Sequence, residues 1–318
     1  MLYLCTNLGI MINRTLIRLK VVQLIYAYYL NGEKNIEKAE KDLLLSLSKA
    51  YELYNNLLLL PLVVTRFAAD EVEHQEEVLR VTHKKDVVSH RFVDNQLVQK
   101  LEMNQQLQEF REHQNCIWNE ETSYIKALYE DIQHSEYYRE YMAADAVTFQ
   151  DDRELWRKIY KNLIMPDERI DSLLEEKCLY WNDDKEIVDT FVLKTLKRFE
   201  EDSTARQELL PEFKDEDDRE FAIRLLRRTI LNEDYYRSLI EQNVQNWDFD
   251  RLAYMDLVIM KIAIAEILSF PQIPLSVSIN EYVEIAKIYS TPKSYGYVNG
   301  ILDAVTHRLK AEGKLLKE

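Results

Sequence analysis

Three features of this 318-residue sequence predict an all-α protein: scarce glycine, prolines that fall between helical patterns, and apolar residues recurring at three- and four-residue steps. There are five glycines, and none lies between Gly32 and Gly296. Hairpin turns and bulges use glycine for its access to positive φ, whereas helix interiors exclude it. Pro61, Pro166, Pro211, Pro271, Pro274 and Pro292 each fit a helix boundary or turn, because proline lacks an amide proton and clashes with the preceding turn. At 47% hydrophobic content the chain can bury a sizeable core, as one large domain or two smaller ones.

The helical pattern begins just after Met11, so residues 1–10 read as a disordered extension. Residues 12–30 form a first helix that is apolar on nearly every side, which implies burial among several partners. Its start, Arg14, Arg18 and Lys20 followed by VVQLIYAYYL, imitates a signal peptide. Gln23 and three tyrosines interrupt the apolar run, and no small-residue cleavage site follows, so a buried helix is expected. The run LLLLPLVV (57–64) is too short to span a bilayer.

Residues 34–60 read as a second helix, with Leu43, Leu47, Ala50, Tyr54, Leu57 and Leu58 on helical spacing. Glu71 to His90 has the weakest pattern and reads as a mobile connection. Residues 92–142 are charged and Gln-rich, and predict a long solvated helix with one buried stripe through Leu97, Leu101 and Leu107. Asp151–Trp181 then aligns without gaps to Asp217–Trp247, sharing Asp-Asp-Arg-Glu, an isoleucine, Ser-Leu and the final tryptophan. On that basis 151–181 is expected to be a degenerate repeat of 217–247.

Residues 217–247 suggest a helical hairpin about Asn232-Glu233, and 256–270 an apolar central helix with Lys261 and Glu266 as its internal charges. Pro271 and Pro274 interrupt it. Ser278-x-x-Glu281 has the form of a capping box, and Ser294 that of a further N-cap. Val298, Ile301, Leu302, Val305 and Leu309 make an apolar stripe. Gly300 within it costs about 1 kcal/mol against alanine, which predicts close approach of another backbone.

Net charge is −15, unevenly spread. Residues 1–30 carry +3 and 217–318 carry −2, so the acidity belongs to 31–216, at −16. The two ends can therefore still present positive surface. Cys5, Cys116 and Cys178 are odd in number and far apart, with no spacing for zinc or a disulfide framework. Neither a metal, a cofactor nor a catalytic group is expected, and a reducing cytoplasm fits best. No strand-glycine-helix nucleotide fingerprint or nucleophile pair is present, which argues against an enzyme.

The C-terminal runs Ile279-Asn280-Glu281, Ala286-Lys287 and Val298-Asn299-Gly300-Ile301-Leu302-Asp303, with Arg14, Arg18 and Val22-Gln23-Leu24-Ile25-Tyr26 of the first helix, resemble the NusB family of transcription antitermination factors. The resemblance covers roughly 11–30 and 217–310. It implies a NusB-like helical bundle made of the first helix and 217–318, with 31–216 as an added acidic helical insertion. It also implies binding of a boxA-like single-stranded leader RNA on ribosomal RNA operons, together with the ribosomal small-subunit protein NusE, within the transcription elongation complex and away from any membrane.

By this resemblance Arg14 and Arg18 contact phosphates and Tyr26 lies near the RNA–protein junction. Lys293, Ser294 and Tyr295 would face RNA, and Asp256 would lie near the NusE contact. Thr15 and Leu16 stand where compact relatives often carry more arginine, so the basic patch is thin. Basic side chains interleaved with aromatics do suit single-stranded RNA. Tyr26 fits either core or contact. The competing reading is an acidic helical scaffold for protein partners that has lost specific RNA binding.

Overall fold

A computed structural model describes residues 13–31, 34–114, 116–181, 183–213, 215–244, 252–291 and 293–315. The 1–10 extension, Met11, Trp247 and Pro292 lie outside them. The described residues form helices joined mostly by short turns, with longer connections at 82–95 and 199–213, and no β-strand among them. In chain order these are α1 (Arg14–Leu30), α2 (Ile36–Val81), α3 (Gln96–Met103), α4 (Gln105–His113), α5 (Thr122–His134), α6 (Glu136–Ala143) and α7 (Phe149–Ile159). There follow α8 (Glu168–Lys177), α9 (Lys185–Arg198), α10 (Glu216–Leu231), α11 (Glu233–Glu241), α12 (Tyr254–Ser269), α13 (Leu275–Tyr289) and α14 (Ser294–Ala311). They divide into two compact units, one of residues 13–47 with 213–315, the other Ser48–Glu212. The division crosses α2 at Leu47.

In the first unit α12 packs against α1, α10, α11, α13 and α14. Every residue from Asp256 to Ile267 is buried, as a helix without a polar face requires. The α14 stripe of Val298, Ile301, Leu302, Val305 and Leu309 is buried as its spacing predicts. The internal charge Lys261 stretches to Glu233, Nζ to Oε1 2.7 Å, and lies 4.8 Å from the Tyr29 ring centroid. A buried ammonium is tolerated on those terms because it keeps a carboxylate and an aromatic face.

The second unit is organised on the continuously buried stretch Leu53–Leu60 of α2. Buried aromatic donors find backbone acceptors there: Trp118 Nε1 donates to the Asn56 carbonyl at 2.6 Å, and Trp181 Nε1 to that of Lys49 at 2.7 Å. The Tyr54 hydroxyl lies 2.7 Å from Thr195 Oγ1 and accepts the Leu210 amide at 3.1 Å. A single π-wound turn, Tyr160–Ile164, continues α7. The continuous helix 149–164 therefore has the length of the 16-residue α10. Buried positions recur in the same register, Asp152 with Asp218, Leu155 with Phe221, Trp156 with Ala222, Ile159 with Leu225 and Tyr160 with Leu226.

Several local expectations change. Pro61 does not end α2, which runs on to Val81. Tertiary burial on both sides of the proline outweighs the lost hydrogen bond. The expected long helix over 92–142 is broken into short ones by side chains that cap in mid-sequence. Asn95, Asn104 and Ser135 accept the amides of Val98, Leu107 and Tyr138. Gly300 meets no approaching backbone: a Cβ built there has nothing within 4 Å. Gly300→Ala should therefore raise the unfolding free energy by about 1 kcal/mol through helix propensity, measured by urea denaturation.

Candidate functional site

Arg14 and Arg18 lie one turn apart on α1, yet their surroundings differ. The Arg14 side chain is 35% exposed; its Nε donates to Asp218 Oδ1 at 2.9 Å and its guanidinium lies 5.0 Å from the Phe221 ring centroid. Arg18 is 3% exposed and forks onto the fully buried Glu266, Nε to Oε2 at 2.8 Å and Nη2 to Oε1 at 2.9 Å. Its Nη1 adds a 3.2 Å contact to Glu281 Oε2. With its donors committed inward, Arg18 presents no surface to a phosphate, which corrects the expectation drawn from its position beside Arg14.

The rest of this network also departs from local reading. Ser278 sits inside α13, not at its cap, and donates to Glu266 Oε1 at 2.8 Å. Tyr282 donates to Glu266 Oε2 at 2.9 Å, and Thr15 donates to Glu281 Oε2 at 2.9 Å. The expected capping box of Ser278 and Glu281 is thus replaced by tertiary bonds to α1 and α12. Burial by itself would raise the Glu266 pKa, but hydrogen bonds and charge from Arg18, with Ser278 and Tyr282, outweigh it and hold the carboxyl below its usual value. Burial likewise pushes the Arg18 pKa down, and Glu266 more than reverses that.

A second cluster joins α12 to the start of α14. Ser294 is buried and donates to Asp256 Oδ2 at 2.7 Å, while its oxygen takes a 3.0 Å hydrogen bond from Ser290. Asp256 is 4% exposed, and its Oδ1 has no hydrogen-bond partner among the described residues. Ser294 therefore holds the α13–α14 turn onto α12 rather than capping α14, and neither of these two side chains faces outward. Lys293 and Tyr295, on either side of Ser294, are exposed. Lys287 Nζ lies 5.5 Å from the Tyr295 ring centroid, a basic–aromatic pair at the surface.

Tyr26 is half-buried and packs against Tyr254 with ring centroids 5.6 Å apart. One turn earlier on the same face of α1, Gln23 Nε2 donates to the Tyr289 hydroxyl at 2.9 Å. That contact brings α1 to the end of α13, beside the turn that carries Lys293. Sequence reasoning missed Tyr254, Lys287, Tyr289 and the role of Glu266. The signal for Glu266 was present: a carboxylate within an apolar helix demands a buried cation, and α1 is the basic helix without an acid.

Among the described residues no group of three or more His, Cys, Asp or Glu side chains is placed to hold a metal ion, and no helix is long and apolar enough to cross a membrane.

Removing either partner of the buried pair strands the other, so Arg18→Ala should cost about 3–5 kcal/mol in a denaturation experiment. Because the folded-state pKa of Glu266 lies below its unfolded one, its stabilisation is complete above about pH 4.3 and is lost as pH falls through the depressed value. The stability gap between the natural protein and Glu266→Gln should therefore narrow below about pH 4.3, followed by urea titrations at stepped pH.

The family model described as the NusB family matches residues 188–307, from within α9 into α14. The transcription antitermination protein NusB of Salinibacter ruber is 38% identical over 132 residues, which is 40% of this chain and 82% of that protein. NusB of Natranaerobius thermophilus is 41% identical over 111 residues, 34% of this chain and 80% of that one. A solved structure of T. maritima NusB aligns over 50% of this chain and 95% of its own at 25% identity, with a TM-score of 0.30, too low to bear on architecture. The two sequence relatives are each matched over most of their own length, and on that ground the chain belongs to the NusB family.

Proposed function

We propose that this protein is a transcription antitermination factor that binds single-stranded RNA through the turn between α13 and α14 and the adjoining face of α1. The observation that carries the reading is the exposed Lys287–Tyr295 pair beside Lys293, on a turn braced from within by Ser294 and Asp256. A flat ring beside a cation suits an unstacked base, and Lys293 suits a flanking phosphate, while Lys287 also pairs with Glu284. Arg14, one-third exposed, extends the positive surface on α1. Arg18 acts from inside by fixing α1 against α12 and α13.

The finer form of this proposal is recognition of a boxA-like element of ribosomal RNA leaders together with NusE. Tyr26 and Tyr254 form the aromatic edge next to that surface. Asp256 contributes to partner binding by positioning, through its bond to Ser294. Few phosphate contacts imply modest intrinsic affinity and a shallow salt dependence, so NusE supplies a large share of the binding energy.

Fluorescence anisotropy with boxA and scrambled RNA, each with and without NusE, tests this. Tyr295→Ala should cost about 1–3 kcal/mol of boxA affinity by loss of stacking. Lys293→Ala should weaken all RNAs alike and reduce the salt slope by about 0.7. Equal binding of boxA and scrambled RNA, untouched by either substitution, would instead favour an acidic scaffold for protein partners.

A further inference from the structure

The α10 helix carries Arg219, Arg224, Arg227 and Arg228, and they fall into two kinds. Arg219 pairs with Glu216 and Arg227 with Glu40. Arg224 and Arg228, one turn apart and both exposed, form no ion pair among the described residues, although the chain carries a net charge of −15. They face a cleft of about 290 Å³ whose other walls include Asn232, Tyr235, Tyr236 and Ser269.

The cleft is organised before anything binds. Arg224 Nη2 donates to the Ser269 carbonyl at 2.7 Å, and its guanidinium lies 4.9 Å from the Phe270 ring centroid, which fixes the side chain. Asn232 Nδ2 donates to the Arg228 carbonyl at 3.0 Å, closing the end of the helix against the α10–α11 turn. Tyr235 stands 42% exposed at the rim. A fixed guanidinium with further donors, a second one a turn away and an exposed ring match a phosphodiester with its base.

We propose that Arg224 and Arg228 form a second phosphate-binding site, occupied by the RNA backbone outside the segment held at the α13–α14 turn. The site deepens the proposed function and rests on it. The two sites lie towards opposite ends of α12: Asp256 braces one and Ser269 lines the other, about 20 Å apart along a helix rising 1.5 Å per residue. An RNA limited to the first site does not reach the cleft; an extended one does. Tyr235 favours a nucleotide over an acidic peptide because it offers a stacking face beside the cations.

The test measures affinity of the full-length protein for a short boxA oligonucleotide and for the same sequence extended at both ends, across a salt series. The doubly substituted Arg224→Ala, Arg228→Ala protein should lose about tenfold or more for the extended RNA, with the salt slope reduced by about 1.4. Its binding of the short RNA should be unchanged. Arg228→Ala alone, which removes none of the bonds that fix Arg224, should show part of the same loss and guards against a folding artefact. Natural protein that binds the extended RNA no more tightly than the short one would overturn the second site while leaving the first intact. Failure to bind either RNA would overturn both readings. Retained preference for the extended RNA in the double variant, with loss of NusE affinity or of inorganic phosphate binding alone, would assign the cleft to an acidic protein surface or a free anion and sink the proposal.

Discussion

Glu266 is a carboxylate with no exposure, placed in a mostly apolar helix that is buried from Asp256 to Ile267. Left alone, such a charge is untenable in the interior. It is held by four hydrogen bonds, two from Arg18 on α1 and one each from Ser278 and Tyr282 on α13. The distant α1 and the consecutive α12 and α13 therefore converge on one pair of oxygen atoms. Measured against well-packed apolar residues, a buried ion pair adds little stability, since desolvation offsets most of the attraction. What it imposes is register. A slip of α1 or α13 by one residue would leave a buried charge unmatched, whereas the surrounding leucines and isoleucines would tolerate the slip far better.

Legibility in the sequence followed the range of the interaction. The burial of α1, the all-round apolar character of α12 and the stripe on α14 are carried by spacing within each helix, and periodicity reads them directly. The breaks at Asn104 and Ser135 were also local, but a single capping side chain in a charged run is easily taken for part of a helix surface. Ser278 shows the limit. Its spacing to Glu281 is that of a cap, yet a buried carboxylate twelve residues earlier claims the hydroxyl. Arg18 is harder still, because its partner lies 248 residues away. No pattern within α1 distinguishes it from Arg14. The surface at Lys293 and Tyr295 was reached through the family resemblance; the brace beneath it, Ser294 on Asp256, was not legible, because a hydroxyl beside a turn reads as solvated.

The two units use one device with different partners. Asp152 and Asp218 occupy equivalent places in the first turns of α7 and α10, and both are buried. A helix N-terminus favours negative charge there, and each carboxylate recruits a donor from another helix. Asp218 takes Arg14, whereas Asp152 takes the Tyr141 hydroxyl and the Gln96 amide. Burial raises the Asp152 pKa, because its donors are neutral and offset only part of the desolvation. The same helical frame thus holds a carboxylate with a cationic donor in one core and a carboxylate with neutral donors in the other.

The unequal fates of Arg14 and Arg18 bear on how loss-of-function data from the first helix are interpreted. Substituting position 14 removes a one-third-exposed charge and its bond to the buried Asp218, so a weakened phenotype there mixes surface charge with packing. Substituting position 18 empties the inside of the bundle of its counter-charge, and the amount of folded protein becomes the hidden variable in every subsequent assay. An alanine scan scored only by activity would rank the two alike and credit to binding a residue whose guanidinium is committed to Glu266 and Glu281.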